Sequence, residues 1–207
     1  MLYPKADFFR HRWWVRQVWL SICQQKDNSV TSKEVFKTDT SECWPASDFY
    51  FHTGVSALSE KLKKNVKSQG FFFINLNRYT LRAFMREFSG ITHSGIVIIC
   101  SKPLLPLAHF WLKEGCCVRA VFESNVSVDS VARELNNLKP EGKMTPPFRP
   151  SFRKLTHQDL FLLRNYIEQS EVMSLQLKFS CSRSTIYRWK MMIARKFGVR
   201  KIECLFS

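Results

Sequence analysis

Several features that define common protein classes are missing from this chain of 207 residues. No apolar run approaches the ~20 residues that span a bilayer, and the charged amino terminus lacks the apolar core of a signal peptide. The sequence has no G-x-G-x-x-G, no G-x-x-x-x-G-K-[ST] and no G-x-S-x-G, so the usual motifs of nucleotide binding and serine hydrolysis are absent. These absences predict a cytoplasmic protein without a membrane span, and they argue against an enzyme.

The spacing of the cysteines and histidines gives no indication of a metal site. The seven cysteines are scattered, with no Cys-x-x-Cys pair, and the five histidines show no metal-ligand spacing. The sequence therefore predicts no zinc site, no disulfide framework and no cofactor. Adjacent Cys116 and Cys117 are interpreted as small buried hydrophobes at a strand entry, with a redox sensor as the alternative.

Acidic residues are few compared with basic ones. The chain has 32 Lys or Arg against 17 Asp or Glu, a net charge of +15 and a pI near 9.8. Such a balance favours a polyanionic partner, because neutralising phosphates releases counterions. Nucleic acid is the leading candidate, and an anionic membrane surface is the second.

Changes in composition divide the chain into four parts. An amino-terminal extension, residues 1–43, holds an aromatic and basic segment at 8–23 and a polar linker. We interpret the segment as a helix docked on the next domain or on a partner, with base stacking or a membrane surface as alternatives. An α/β domain follows at 44–138, then a linker with four prolines at 139–153, then a helical domain at 154–207.

The α/β domain alternates short apolar runs with helical stretches. Strands are predicted at 48–52, 70–77, 96–100 and 118–122, each followed by a helix. This order implies right-handed crossovers and a parallel sheet covered on both faces. The pattern resembles a shortened receiver domain of the flavodoxin-like type. The predicted fold class is therefore α/β plus all-α, a receiver-like sheet domain followed by a helical domain.

A phosphoryl-accepting receiver needs an aspartate at a strand end and further acids to hold Mg²⁺. Here the central strand ends in Asn75 and Asn77, which are neutral, and Glu123 or Ser124 stands where a receiver carries lysine. The sequence predicts no phosphoacceptor in this domain.

Three short amphipathic helices are predicted between residues 155 and 199, the last of them basic. Ser182 is placed to cap the last helix and Gly198 to end it. From 151 to 207 there are eleven Lys or Arg against four Asp or Glu, a charge of +7. This arrangement is typical of a helix-turn-helix unit that binds double-stranded DNA in the major groove.

The same region resembles the LuxR-type helix-turn-helix. The residues that carry the resemblance are Leu155, Thr156, Asp159, Leu163, Leu175, Phe179, Ser182, Ser184, Thr185, Ile186, Arg195, Lys196, Phe197, Gly198 and Val199. Two departures affect the expected angle of the second helix: Gln176 replaces a small residue, and the glycine that joins the helices is absent around Ser170.

A broader resemblance covers residues 44 to 201. The stretches FFFINLNRYTL, PLLPLAHFWL, VRAVFE and STIYRWKMMIARKFGVRK are similar to the TviA-like and EcpR-like regulators, an RcsB-auxiliary group. The resemblance implies a nucleoid-associated regulator of bacterial surface-structure and virulence genes, such as those for capsule, fimbriae or motility. It also implies an unphosphorylated receiver-like domain that forms a heterodimer with RcsB. A homodimer is the alternative.

Helix geometry assigns expected DNA contacts on the basic helix. Ser184, Tyr187 and Arg188 are the candidates for base edges. Candidates for phosphates are Arg183, Thr185, Lys190, Arg195 and Lys196. Met191 is a further candidate DNA contact, and for Tyr187 and Met191 the alternative is partial burial against a dimer partner. Two competing functions remain: an interaction protein that titrates another regulator, and, more remotely, a small α/β enzyme.

Overall fold

A computed structural model describes residues 42–67, 70–88, 93, 95–114, 117–139, 142–144, 154–168 and 172–206. The described residues belong to one compact unit. The predicted helix at 8–23 and its linker lie outside this range, as do most of the linker at 139–153 and Ser170. Within the described range, no helix is both long enough and apolar enough to cross a membrane.

A four-stranded parallel sheet forms the centre of the fold. Its strands are β1 (Cys43–Trp44), β2 (Phe72–Leu76), β3 (Ile96–Cys100) and β4 (Val118–Glu123). They lie in the order β1-β2-β3-β4, with Ile74 opposite Ile98 and Ile98 opposite Val121. Nearly every residue of the last three strands is buried, as expected when helices cover both faces. The predicted parallel sheet in a mixed α/β fold is confirmed.

The strand predicted at 48–52 is wrong, because these residues begin helix α1 (Phe49–Lys61). Consecutive aromatic residues favour a strand, but the Asp48 carboxylate accepts a hydrogen bond from the Phe51 backbone N–H at 3.0 Å. This cap satisfies a donor of the first helical turn. The first strand is instead the two-residue β1, and Phe49 and Tyr50 are 75% and 88% exposed.

Helices lie on both faces of the sheet. After α1 the helices of this part are α2 (Lys64–Lys67), α3 (Leu81–Glu87), α4 (Leu105–Glu114, preceded by a 3₁₀ turn at Lys102–Leu104) and α5 (Val128–Asn137). Val55 of α1 and Leu135 of α5 share one buried cluster with Phe73. Phe84 of α3 and Leu107 of α4 belong to the cluster on the opposite face.

This arrangement corrects the expected handedness of the crossovers. Because adjacent strands follow chain order, a helix on one face after β1 and on the other face after β2 makes crossovers of opposite hand. They are therefore not all right-handed. A two-residue strand carries little of the twist that normally fixes the hand, so α1 packs where its apolar side chains meet α5.

Three further helices follow: α6 (His157–Glu168), α7 (Val172–Phe179) and α8 (Arg183–Lys196), with a 3₁₀ turn at Ile202–Leu205. Their buried residues Leu163, Leu175 and Ile186 join the cluster that contains α3 and α4. The core is thus continuous from the sheet to α8. The proposed domain boundaries at 138 and 154 stay predictions.

The described part of the linker is held against the sheet. Arg119 of β4 donates from Nε to the Gly142 carbonyl at 3.1 Å and from Nη2 to the Lys139 carbonyl at 2.5 Å. The Met144 N–H donates to the Arg119 carbonyl at 2.7 Å. Residues 142–144 are therefore fixed beside β4, although they belong to the predicted linker.

Candidate nucleic-acid interface

Helix α8 has the start and stop that its sequence predicts. The Ser182 hydroxyl accepts a hydrogen bond from the Thr185 N–H at 3.3 Å. At the other end Gly198 has a φ of 66°, and the Val199 N–H donates to the Ala194 carbonyl at 3.0 Å. A glycine suits this left-handed position because it has no Cβ. The helix therefore has fixed ends.

The turn between α7 and α8 contains Ser180, which has the same left-handed backbone conformation as Gly198. Ser180 has a φ of 47°, the Ser180 N–H donates to Leu177, and the Cys181 N–H donates to Gln176. This is the pattern that ends a helix with a left-handed residue, usually glycine. Serine in that conformation is strained.

Replacing Ser180 with glycine should therefore stabilise the protein. We expect Ser180→Gly to raise the unfolding free energy by about 0.5–1 kcal/mol, since relief of strain exceeds the added flexibility of the unfolded chain. Urea unfolding followed by circular dichroism would measure it. The matched control is Ser184→Gly within α8, which should destabilise. Loss of stability in Ser180→Gly would refute strain at this turn.

The inner face of α8 packs as its spacing predicts. Ile186 and Ile193 are each 2% exposed, and Phe197 is 3% exposed. The Trp189 ring packs edge-on against Phe179 of α7, with 5.5 Å between centroids. Since this face is buried, the opposite face of α8 is turned outward.

That outer face is basic. We define the outer face of α8 by six of its seven exposed residues, Arg183, Ser184, Tyr187, Arg188, Met191 and Arg195; the seventh is Met192. Tyr187 and Met191 are 47% and 48% exposed, and the Arg183 guanidinium lies 5.7 Å from the Tyr187 ring centroid. Sequence spacing predicts these residues at the DNA, and their contact with DNA stays a prediction.

Two other candidate phosphate contacts, Lys190 and Lys196, are half-buried and held against neighbouring side chains. Lys196 Nζ lies 2.5 Å from Asp159 Oδ2, with 21% of its side chain exposed. Lys190 Nζ lies 4.1 Å from the Tyr166 ring centroid and 3.6 Å from Glu203 Oε1. Thr185 is half-buried, and its hydroxyl lies 3.0 Å from that of Ser182. These intramolecular contacts position α8 on its neighbours.

Asp159 joins the start of α6 to the last turn of α8. Its Oδ2 accepts from the Thr156 N–H and the Thr156 hydroxyl, both at 2.7 Å, and from Lys196 Nζ. The Thr156 hydroxyl in turn accepts from the Asp159 N–H at 3.2 Å, which forms a capping box. The spacing of Thr156 and Asp159 predicts this cap. No local signal indicates Lys196, because it lies 37 positions away in sequence.

Lys190 is surrounded by a second group of side chains that are distant from one another in sequence. The Tyr166 hydroxyl donates to Glu203 Oε1 at 2.6 Å. Burial, followed by the neighbouring Glu203 carboxylate, raises the pKa of Tyr166 above its usual range. Burial acts to raise the pKa of Glu203, but the hydrogen bond from Tyr166 and the charge of Lys190 lower it overall. Glu203 is therefore ionised at neutral pH and faces the Lys190 ammonium.

The carboxyl ends of β2 and β3 contain no pair of acids. Asn75 Nδ2 donates to Asp48 Oδ2 at 2.8 Å, and Asn77 Oδ1 accepts from the Tyr79 N–H at 2.8 Å. Burial and then the charge of Glu123 raise the pKa of the Cys100 thiol to about 12, so this thiol is a poor nucleophile at neutral pH. In the described part of the chain, no three metal-ligating side chains form a group that could hold an ion.

Together these features define a mixed α/β protein whose parallel sheet carries a C-terminal helical group with a basic outer face. The chain belongs to the EcpR N-terminal domain family, whose model matches residues 20–139, more than half of the sequence.

Two curated proteins are similar to the chain. The Vi polysaccharide biosynthesis protein TviA of Salmonella typhi is 34% identical over 160 residues, which cover 76% of this chain and 89% of TviA. The uncharacterized protein YqeH of Escherichia coli (strain K12) is 24% identical over 99 residues, which cover 46% of this chain and 47% of YqeH. No solved structure shows significant similarity to the chain.

Proposed function

We propose that this protein is a bacterial transcription regulator that binds double-stranded DNA through α8, the recognition helix of a LuxR-type helix-turn-helix formed by α6, α7 and α8. The observation that carries the proposal is the outer face of α8, which presents Arg183, Arg188 and Arg195 and no carboxylate. An α-helix fits the major groove, and arginine binds both guanine edges and phosphates.

The packing of α8 and the positions of its arginines support this role. Its apolar face is anchored on α6 and α7, so its arginines stand on a rigid element rather than on a loop. Arg188 lies near the middle of the helix and Arg183 at its start, where the backbone N–H groups also favour a phosphate. We assign Arg188 to a base edge, and Arg183 and Arg195 to the flanking phosphates.

The target genes and the partner are proposed from relatedness. The name of TviA places that protein in Vi polysaccharide biosynthesis, and on this ground we propose control of surface-structure and virulence genes, such as those for capsule, fimbriae or motility. The α/β part is proposed to be a shortened receiver-like domain that pairs with RcsB, as resemblance to the RcsB-auxiliary group implies. The regulator would act in the cytoplasm at the nucleoid, without a cofactor and without catalysis.

A second candidate function is a protein-interaction regulator that titrates another regulator without strong DNA binding of its own. It is favoured by Met173 and Leu177 of α7, which are 72% and 79% exposed and lie one helical turn apart. An exposed apolar stripe is more typical of a protein contact than of a phosphate contact.

Binding of the full chain to fluorescent 30-bp duplexes, with and without RcsB, separates the two functions. Duplexes enriched by the chain from a random library would be compared with scrambled ones. We expect salt-dependent binding by the chain alone, with preference for enriched sequences that RcsB increases. If the chain binds RcsB and lowers the DNA occupancy of RcsB without binding DNA itself, the titration function is correct.

The asparagines at the end of β2 give a prediction about control. Incubation of the full chain with acetyl phosphate and Mg²⁺ should leave its intact mass unchanged, because no carboxylate stands where a receiver carries its phosphoacceptor. RcsB, treated in parallel, is the positive control. A phosphoryl group on this chain that is lost in alkali would show that it is a phosphorylation switch.

A further inference from the structure

We propose that Glu203 restrains DNA binding by holding Lys190 against Tyr166, so that the recognition helix neutralises one phosphate fewer than its cations allow. This inference rests on the proposed function, because it concerns how strongly α8 binds DNA. It assigns a role to the 3₁₀ turn at Ile202–Leu205, which contributes no residue to the proposed DNA contacts.

The contacts around Lys190 all act to hold its ammonium group in one position. Its side chain is 15% exposed, although it belongs to a helix that is otherwise rich in exposed cations. The ammonium lies between the Tyr166 ring, 4.1 Å away, and Glu203 Oε1, 3.6 Å away. The Tyr166 hydroxyl holds the same carboxylate oxygen at 2.6 Å, which orients Glu203 toward α8. Cation–π and charge attraction thus act together on Lys190.

The turn that carries Glu203 is firmly placed. Ile202 and Leu205 are each 1% exposed and belong to the core cluster. Phe206 packs on Tyr166 with 5.7 Å between ring centroids, and the Arg82 guanidinium of α3 lies 5.3 Å from the Phe206 ring. Glu203 is therefore presented by a fixed support, which is what a specific restraint on Lys190 requires.

The two ion pairs that lysines of α8 form with carboxylates differ in their exposure to water. The Lys196 side chain is 21% exposed and pairs at 2.5 Å with Asp159, whose side chain is 6% exposed, so this pair is largely shielded from water. The Glu203 side chain is 48% exposed, and its 3.6 Å separation from Lys190 exceeds that of a hydrogen bond. Water screens such a pair. Loss of the charge of Glu203 should therefore free Lys190 for a phosphate, whereas Lys196 stays paired with Asp159.

Four full-length proteins test this restraint: wild type, Glu203→Gln, Lys190→Gln and the double variant. Glu203→Gln keeps the size of the side chain and an acceptor for Tyr166 but removes the charge. The matched control is Glu168→Gln on α6, which makes the same charge change where the carboxylate pairs with Arg164 at 2.9 Å. Affinity for a random 30-bp duplex would be measured by fluorescence anisotropy over a salt series, after urea unfolding has verified each fold.

We expect Glu203→Gln to bind several-fold more tightly at low salt, with a log–log salt slope steeper by about 0.9, the value for one added phosphate contact. Lys190→Gln alone should match the wild-type slope, and the double variant should lose the gain. Equal slopes for Glu203→Gln and Glu168→Gln, or a gain that persists without Lys190, would overturn the restraint. Absence of any salt-dependent binding by the wild type would instead refute the proposed function.

Discussion

Replacing Arg188 with alanine should weaken binding to the preferred DNA site by about 1–3 kcal/mol, roughly 5- to 150-fold, and should relax discrimination at one base pair. Arg188 is exposed at the centre of the outer face of α8, and the proposed function assigns it a bidentate contact to guanine. Removal of the guanidinium leaves the groove edge of that base without its partner. Anisotropy titrations with duplexes enriched by the wild-type chain would measure both effects.

The control for Arg188 is Arg164→Ala. Arg164 is an arginine of α6, its side chain is 43% exposed, and it pairs with Glu168 of the same helix. Arg164→Ala removes the same charge from the chain as Arg188→Ala, so the two variants change the long-range electrostatics equally. Wild-type affinity and unchanged base preference in Arg188→Ala would show that α8 does not read base edges through this residue.

Asp159→Ala should destabilise the fold by about 2–4 kcal/mol, the largest stability effect that we expect from any polar residue. The carboxylate is almost fully buried, caps α6 through Thr156 and neutralises Lys196. Alanine removes the cap and leaves the Lys196 ammonium near the core without its counter-charge. Urea unfolding followed by circular dichroism and tryptophan fluorescence would give the free energy.

Asp129→Ala is the matched control for burial. Asp129 pairs with Lys61 at the same 2.5 Å distance, but the two side chains are 72% and 48% exposed. Because solvent screens that pair, its loss should have little effect. If the two variants were equally stable, Asp159 would not be the link that fastens α8 to α6.

Much of the fold could be predicted from the chain because its signals are local. The uninterrupted apolar runs around Ile74 and Ile98 indicate strands buried on both faces, and Ser182 and Gly198 mark the ends of α8. Prediction failed where two local signals compete. At 48–52 the aromatic residues favour a strand, whereas Asp48 caps a helix, and tertiary packing decides between them.

The candidate site was predictable in part, for the same reason. Periodicity separates the inner face of α8 from its outer face, so Arg188 and Tyr187 could be placed outward from sequence alone. It could not show that Lys190 and Lys196 fold back onto carboxylates. Glu203 and Asp159 are brought to them by the packing of α6 and the last turn, over separations in sequence that no helical period encodes.

The central proposal is that the outer face of α8 binds DNA. It is tested most directly by the salt dependence of duplex binding by the full chain and by its Arg183→Gln, Arg188→Gln, Arg195→Gln triple variant. Because Arg183 and Arg195 are assigned to phosphates and Arg188 to a base edge, the log–log slope should fall in magnitude by roughly 1.8, with loss of sequence preference. A triple variant with the wild-type slope and affinity would contradict DNA binding through α8.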